Sequence, residues 1–212
     1  WLGVDADVEA DPFMVQSLER EILNRPKAAG VSATYGFRIP DDMGRKAHKS
    51  RSMIYGQRSE FALTEIKHQM RNNTTDILGG QATLYDVNAL KSACRETYGN
   101  VPWDSQSKVE DAQLTRVFRR QGFEAATCPE ARAWTGLMFN ASSWQKQRRK
   151  WQDGQIEDMA REFHPLIDRK IWMSQLTLGR HLILRLSLIP IRRCRRIDRC
   201  RPPRPPPRST TP

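Results

Sequence analysis

Along residues 1–163, apolar positions switch between a strand period and a helix period. Short apolar runs bounded by turn residues predict strands at 1–5, 31–37, 76–85 and 123–128, and the Gly79-Gly80 pair divides the third run into two strands. Between and after these runs, helices are predicted at 12–23, 59–71, 86–96, 110–121 and 141–163. Apolar residues at helical spacing indicate the first two, polar residues at the ends indicate the next two, and the last is strongly charged. Strands that alternate with helices in this way indicate an α/β sandwich with a mixed sheet.

Polar residues at the predicted helix ends support these boundaries. Asp86 is suited to be the N-cap of the third helix, and Glu110 and Asp111 suit the positive end of the fourth helix dipole. Gly122 ends that fourth helix. The second helix is expected to bury an apolar face made of Phe61, Leu63, Ile66 and Met70.

The composition changes after the helical pattern ends and divides the chain into three parts. Residues 1–165 form the predicted α/β domain. Residues 166–191 contain an apolar stretch, 171–191, which is long enough to cross a bilayer but includes two Arg and one His. A central Arg costs roughly 2.5–3.5 kcal/mol to insert, so an amphipathic helix at a membrane interface or packed on the domain is the better interpretation. Residues 192–212 are rich in Arg and Pro and are expected to be disordered.

Charge and cysteine content limit the functions to consider. The formal net charge is +11, and the tail at 192–212, with eight Arg and one Asp, contributes +7 of it, which leaves +4 for the rest of the chain. A basic face for nucleic acid on the domain is therefore not expected. The 4 cysteines include no CxxC pair, which argues against a zinc ribbon, and they are too few for a disulfide framework.

Two carboxylates, Asp5 and Asp7, follow the first predicted strand. Residues i and i+2 at the end of a strand point to the same side, so both carboxylates can hold one hard cation such as Mg²⁺ or Mn²⁺. An ion held there would neutralise a departing diphosphate. A solvated acidic loop is the common alternative. The same apolar run also fits a phosphatase of the haloacid-dehalogenase type, with Asp5 as nucleophile.

Two further clusters carry related chemistry. Asp111, at a predicted helix start, can accept the proton of an attacking hydroxyl, although acids are common there for capping alone. The segment 147–151 combines cations suited to a diphosphate with an aromatic face on which a sugar ring stacks. Taken alone, that segment is more often a solvated basic helix face with one half-buried Trp.

The order and spacing of the three clusters resemble the family 2 glycosyltransferases of the processive synthase type, to which cellulose, chitin and hyaluronan synthases belong. That family has D-x-D, then [ST]-E-D, then Q-[QR]-x-R-W, and here 36 positions separate Asp111 from Gln147. The segments 78–90 and 99–134 also resemble the family. The likeness covers residues 1 to about 155.

The resemblance implies a GT-A fold and inverting transfer of a sugar from a nucleotide-diphosphate donor, expected to be a UDP-sugar, to a glycan or lipid-linked acceptor. It implies that Asp5 and Asp7 bind a divalent metal, Mg²⁺ or Mn²⁺, and that Asp111 is the general base. The implied substrate-binding residues are Asp5, Glu110, Gln147, Arg148 and Trp151. A location in the cytoplasm or on the cytoplasmic side of a membrane is expected, with membrane association through 171–191 left open and no nucleic-acid partner.

Three departures from the family pattern affect these expectations. Val109 stands where the family has Ser or Thr. Lys150 stands where the family has the Arg of the R-W pair, which keeps the charge but not the fork geometry. The family's opening strands, with the uridine-binding Asp, do not occur here, and the sequence begins at Trp1 inside a predicted strand. We therefore expect a domain that is truncated at its N-terminus and impaired in donor binding.

Two other functions stay open at the level of sequence. A haloacid-dehalogenase-type phosphatase needs a second acidic pair, for which Asp41 and Asp42 are poor candidates because Gly44 and basic residues follow them. The third hypothesis is a non-enzymatic protein that binds nucleic acid or a membrane surface through the tail at 192–212.

Overall fold

The computed structural model describes residues 1–38, 51–97, 101 and 103–162. Within it, Trp1–Arg161 form one compact unit. The acidic pair Asp41 and Asp42, the apolar stretch 171–191 and the tail at 192–212 lie outside the described residues. Among the described helices, none has the length and apolar content needed to cross a membrane.

The described strands form one mixed sheet. They are β1 (Leu2–Val4), β2 (Glu9–Ala10), β3 (Ala28–Phe37), β4 (Ala82–Tyr85) and β5 (Glu124–Thr135), and their spatial order is β1-β4-β3-β5-β2. β3 and β5 pair in parallel, whereas β1 with β4, β4 with β3, and β2 with β5 pair antiparallel. As a result β1, β3 and β5 run in the same direction, and their last residues lie at one end of the sheet, which we call the carboxyl edge. The predicted α/β class with a mixed sheet is confirmed.

The described helices cover both faces of this sheet. They are α1 (Met14–Leu23), α2 (Arg51–Gln69), α3 (Val87–Thr97), α4 (Glu110–Arg120) and α5 (Ala141–Glu162). On one face, Met14 and Leu18 of α1 pack against small residues of β3, β4 and β5. On the other face, Leu90 of α3 packs with Leu114 and Phe118 of α4. Each such side chain stabilises the fold by about 1.5–3 kcal/mol when fully buried, so the sheet is fixed from both sides.

The capping residues act as the sequence predicts. The Asp86 side chain accepts the N–H of Ala89 at 2.8 Å at the start of α3. Glu110 is the first residue of α4, and Gly122 follows the helix with a φ of 85°, a backbone conformation that favours glycine. These local signals fixed both helices to within about two residues of their predicted bounds.

The first of the two strands predicted within 76–85, the one before the Gly79-Gly80 turn, is wrong, because this segment is held by α4 instead of by a neighbouring strand. Leu78 is buried, and its N–H donates to the hydroxyl of Thr115 on α4 at 2.9 Å. Gly79 and Gly80 follow as an irregular loop, and regular pairing begins at Ala82. A backbone donor that is satisfied by a helix side chain does not need a strand partner.

Of the predicted inner face of the second helix, Phe61 is confirmed, whereas Leu63, Ile66 and Met70 are wrong. The side chains of α2 that pack inward are Ile54, Gln57 and, in part, Phe61. Gln57 bonds both backbone groups of Met138, at 2.8 and 3.1 Å. The helix is oriented by these contacts near the end of β3, and a different apolar set faces outward: Leu63, Ile66 and Met70.

Candidate active site

The acidic pair lies where the chain crosses the carboxyl edge. β1 and β2 follow each other in sequence but are the two outermost strands, on opposite sides of the sheet. The connection between them carries Asp5 and Asp7. The N–H of Asp5 donates to the carbonyl of Gln81 at 3.2 Å, which fixes the start of this connection beside β4. In open α/β sheets, ligands usually bind outside the carboxyl ends of the strands.

Gly80 lies between the first and second predicted clusters. Its N–H donates to Oδ2 of Asp111 at 3.4 Å. A Cβ atom placed on Gly80 would be 3.5 Å from Oδ1 of Asp5. The structure therefore brings Asp5 and Asp111 together across one glycine. On the β5 side, a Cβ placed on Gly136 would be 3.8 Å from Oδ2 of Asp7.

Negative charge accumulates around Asp5. Its pKa is raised, first by partial burial and then by the charges of Asp7 and Glu110. Glu110, at the start of α4, is thus close enough to act electrostatically on Asp5. A cation bound here would relieve this repulsion.

Asp111 has a mixed environment. Burial raises its pKa, and the nearby charge of Glu110 acts in the same direction. The backbone N–H groups of Ala112, at 2.7 Å, and of Gly80 oppose that shift because they stabilise the carboxylate. A carboxylate with a raised pKa that still accepts hydrogen bonds is suited to receive a proton from a substrate hydroxyl.

A buried polar network supports the loop between these acids. The Tyr35 hydroxyl lies 3.3 Å from the carbonyl of Gly79 and 3.1 Å from that of Ala82. Thr83 donates its hydroxyl to the Gly79 carbonyl at 2.6 Å and bonds Ser32 at 2.6 Å. Burial raises the pKa of Tyr35 to about 12, so its hydroxyl stays neutral and able to donate. The network fixes the glycine loop to which Asp111 is bonded.

The third predicted cluster lies on α5 and has its own contacts. The guanidinium of Arg148 donates to Glu60 of α2 at 2.7 Å and lies over the rings of Trp151, at 4.3 Å, and Trp144, at 5.7 Å. Gln147 is half-buried on the same helix. Among the described residues, no hydrogen bond or ion pair joins Arg148 to Asp5 or Asp111.

Asp5, Asp7 and Asp111 lie at the carboxyl edge, and we call this part of it the acidic edge. Within the described part of the chain, no group of three or more His, Cys, Asp or Glu side chains is placed to hold a metal. The pair Asp5 and Asp7 supplies two carboxylates. Mg²⁺ is commonly held in proteins by one or two carboxylates together with water and substrate phosphate, which is the number of carboxylates that this pair offers.

Some contributors to this site were missed from sequence. The Gly79-Gly80 pair indicates only a turn at the level of sequence, although a glycine pair also permits close approach of other groups. Tyr35 had no signal, because an aromatic residue in a strand usually packs in the core. Their roles depend on which segments meet at the carboxyl edge.

No family model matches this chain, and no characterised protein matches its sequence. The resemblance to the family 2 glycosyltransferases is therefore based on the three sequence motifs.

Proposed function

We propose that the chain is the catalytic part of an inverting glycosyltransferase of the GT-A type, which moves a sugar from a nucleotide-diphosphate donor, expected to be a UDP-sugar, to a hydroxyl of a glycan or lipid-linked acceptor. One observation carries this proposal. Asp111, at the start of α4, bonds the N–H of Gly80, and the acidic pair begins on the other side of that glycine. The motif order supplies the reaction class, and the shared contact with Gly80 supports it.

In this proposal Asp111 is the general base. Its carboxylate accepts the proton of the acceptor hydroxyl while that oxygen forms a bond to the anomeric carbon of the donor. The bond between the anomeric carbon and the diphosphate oxygen breaks on the opposite side of the sugar, so the configuration inverts. The buried position of Asp111 favours the step, since it raises the proton affinity of the carboxylate.

Asp5 and Asp7 would hold a divalent ion, Mg²⁺ or Mn²⁺, which when bound neutralises charge on the departing diphosphate. The pKa of Asp5 is raised first by burial and then by the charges of Asp7 and Glu110, and a cation would offset those two charges, which supports this assignment. Glu110 adds a third carboxylate near the pair and is assigned to donor binding.

Gln147, Arg148 and Trp151 are assigned to donor and acceptor binding by the motif resemblance. The Trp151 ring is half-buried against Arg148. Arg148 pairs with Glu60 through Nη2, and a guanidinium has further N–H groups that can bond a diphosphate. In the proposal Arg148 contributes a cation to donor binding and also holds Trp151 in place for sugar stacking.

The test is a transfer assay with a panel of UDP-sugars, Mn²⁺ and short oligosaccharide acceptors, in which the product is identified by mass spectrometry. Asp111→Asn should lower kcat by about 10²–10⁴-fold, because it removes the proton acceptor. Its circular dichroism spectrum should match that of the wild type. The matched control is Asp153→Asn, an exposed carboxylate on α5, which should keep full activity.

Two results would contradict the proposal. One is the absence of transfer from every donor by the wild-type chain. The other is release of phosphate from a simple phosphate ester that is lost in Asp5→Asn, which would favour the phosphatase hypothesis.

A further inference from the structure

A buried carboxylate on α5 connects three parts of the molecule. Asp158 is only 2% exposed. It accepts hydrogen bonds from the hydroxyl of Ser107 at 2.7 Å, from the guanidinium of Arg116 at 3.0 Å, and from Arg161 one turn later on α5. A buried charge is tolerated when it is paired and hydrogen-bonded, and Asp158 has both kinds of partner.

The bond to Ser107 reaches the start of α4. The Ser107 hydroxyl donates to Asp158, and its oxygen accepts the N–H of Val109 at 3.1 Å. Val109 is the N-cap of α4, and it makes no side-chain capping bond. Ser107 therefore supplies, from two residues upstream, a hydroxyl that holds the turn from which Glu110 and Asp111 follow.

Asp158 also holds α4 from a second side. Arg116 lies on α4, little more than one turn after Asp111, and its guanidinium is the second donor to Asp158. Because one carboxylate is bonded both to the segment before α4 and to the body of α4, it limits rotation and sliding of the helix. Both motions would move the Asp111 carboxylate relative to Gly80.

Close packing of α5 against the same segment completes the arrangement. Gly154 lies one turn before Asp158 on the same side of α5. A Cβ on Gly154 would be 3.0 Å from Cβ of Lys108 and 3.1 Å from the methyl groups of Val109. The absence of a side chain at Gly154 thus lets α5 approach the residues that Ser107 holds.

The loop before Ser107 is anchored by the same set of charges. Arg161 bonds the carboxylate of Asp104 at 3.3 Å and the carbonyl of Gln106 at 3.3 Å. Asp104 in turn accepts the N–H of Gln106 at 2.8 Å. The segment 104–109 is therefore tied to α5 at several points, while its far end leads directly to the general base.

We infer that Asp158, acting through Ser107, is a positioning residue that holds Asp111 against Gly80. The catalytic part of this inference rests on the proposed function. The geometric part does not, since the bond from the Gly80 N–H to Asp111 can be followed without any substrate. The helix that carries Gln147, Arg148 and Trp151 thus also sets the place of the base.

The test compares Ser107→Ala with Ser105→Ala, an exposed serine in the same loop, in the full chain. Ser107→Ala breaks the link between Asp158 and Val109 without changing any charge, and leaves Asp158 paired with two arginines. Amide hydrogen exchange at Gly80, followed by NMR, should become about tenfold faster in Ser107→Ala and stay unchanged in Ser105→Ala. In the transfer assay, kcat of Ser107→Ala should fall about ten- to a hundred-fold, while KM for the donor stays within about twofold.

Asp158→Asn is the second variant and should show the same split with a larger loss. If it does not fold, Ser107→Ala decides the matter. Faster exchange at Gly80 in a chain that transfers no sugar would uphold the positioning and refute the proposed function. If the wild-type chain transfers sugar, two results for Ser107→Ala would overturn the inference. One is that both the exchange rate at Gly80 and kcat stay unchanged, and the other is that KM rises while kcat stays unchanged.

Discussion

At the residue scale, burial and neighbouring negative charges disfavour the ionised forms of Asp5 and Asp111 at the carboxyl edge. Asp5 and Asp111 have a pKa above the ordinary Asp value of 3.8. An acid whose pKa is higher in the folded state than in the unfolded state binds more protons when folded. Its contribution to stability is therefore lost as the pH rises through the window between 3.8 and the raised value. Groups that reduce stability at neutral pH are common at functional sites.

Glu110 controls part of this shift, which leads to a prediction about pH. Its charge raises the pKa of Asp111, so Glu110→Gln should lower that pKa. Activity that requires ionised Asp111 should then persist to lower pH, and the acid limb of kcat/KM should move to lower pH. Glu124→Gln, at an exposed acid at the start of β5, is the control. An acid limb that moves equally in both variants, or moves to higher pH in Glu110→Gln, would refute the assignment.

Individual side chains of the site were predictable from sequence only where they belong to a recognisable motif. Asp5, Asp7 and Asp111 could be named because paired or helix-starting carboxylates have a recognisable spacing. Asp158 could not, because a buried acid on α5 has the same sequence appearance as the exposed Asp153 nearby. Burial is decided by contacts with the segment 104–109, which no local pattern encodes.

At the element scale, the helices with clear end signals were predicted well, whereas the faces they present were not. The bounds of α3 and α4 follow from their capping residues and first-turn acids. The face of α2 follows from Gln57, whose side chain bonds the backbone after β5. The two hydrogen bonds of Gln57, together with the packing of Ile54 and Phe61, leave three other apolar residues exposed, and apolar periodicity alone does not register a hydrogen bond.

Two helical glycines provide a matched prediction at this scale. Gly56 of α2 has no atom within 4 Å of the position of a Cβ, so Gly56→Ala should stabilise the fold by about 0.5–1 kcal/mol through helix propensity. Gly154 of α5 would place a Cβ 3.0 Å from Lys108, so Gly154→Ala should destabilise the fold by about 1–3 kcal/mol instead. Urea unfolding followed by circular dichroism gives both values. Stabilisation by Gly154→Ala would mean that α5 and the start of α4 are not in close contact.

At the scale of the whole molecule, the site is produced by strand order. β1 and β2 are neighbours in sequence but are the outermost strands on opposite sides of the sheet. The short connection with Asp5 and Asp7 therefore has to run along the carboxyl edge, where α4 begins. Strand order depends on pairings between distant residues, such as β3 with β5, which lie far apart in the chain. The α/β class was therefore predictable from alternation, while the meeting of Asp5 and Asp111 could only be expected from the motif resemblance.

Most of the net positive charge lies in the tail at 192–212. Removing the tail therefore distinguishes the glycosyltransferase hypothesis from the hypothesis of a protein that binds nucleic acid or a membrane surface through the tail. Deletion of 192–212 removes +7 of the net charge of +11, while every residue assigned to the site lies before that segment. UDP affinity with Mn²⁺, measured by isothermal titration calorimetry, should therefore stay within about twofold of the full-length value.

Binding of the same pair of proteins to a DNA duplex should respond differently. A segment with eight Arg contributes strongly to phosphate contacts, so the full chain should bind more tightly than the deletion variant, and its affinity should fall more steeply as salt is added. A chain with its tail arginines replaced by serine controls for the loss of length. If UDP affinity fell together with DNA affinity in both altered chains, the donor would be bound by the tail and not by the acidic edge, and the assignment of Asp5 and Asp7 would fail. If DNA affinity alone fell, the arginines of the tail would not contribute to UDP binding. The charge of the diphosphate would then be balanced by a cation bound at the acidic edge.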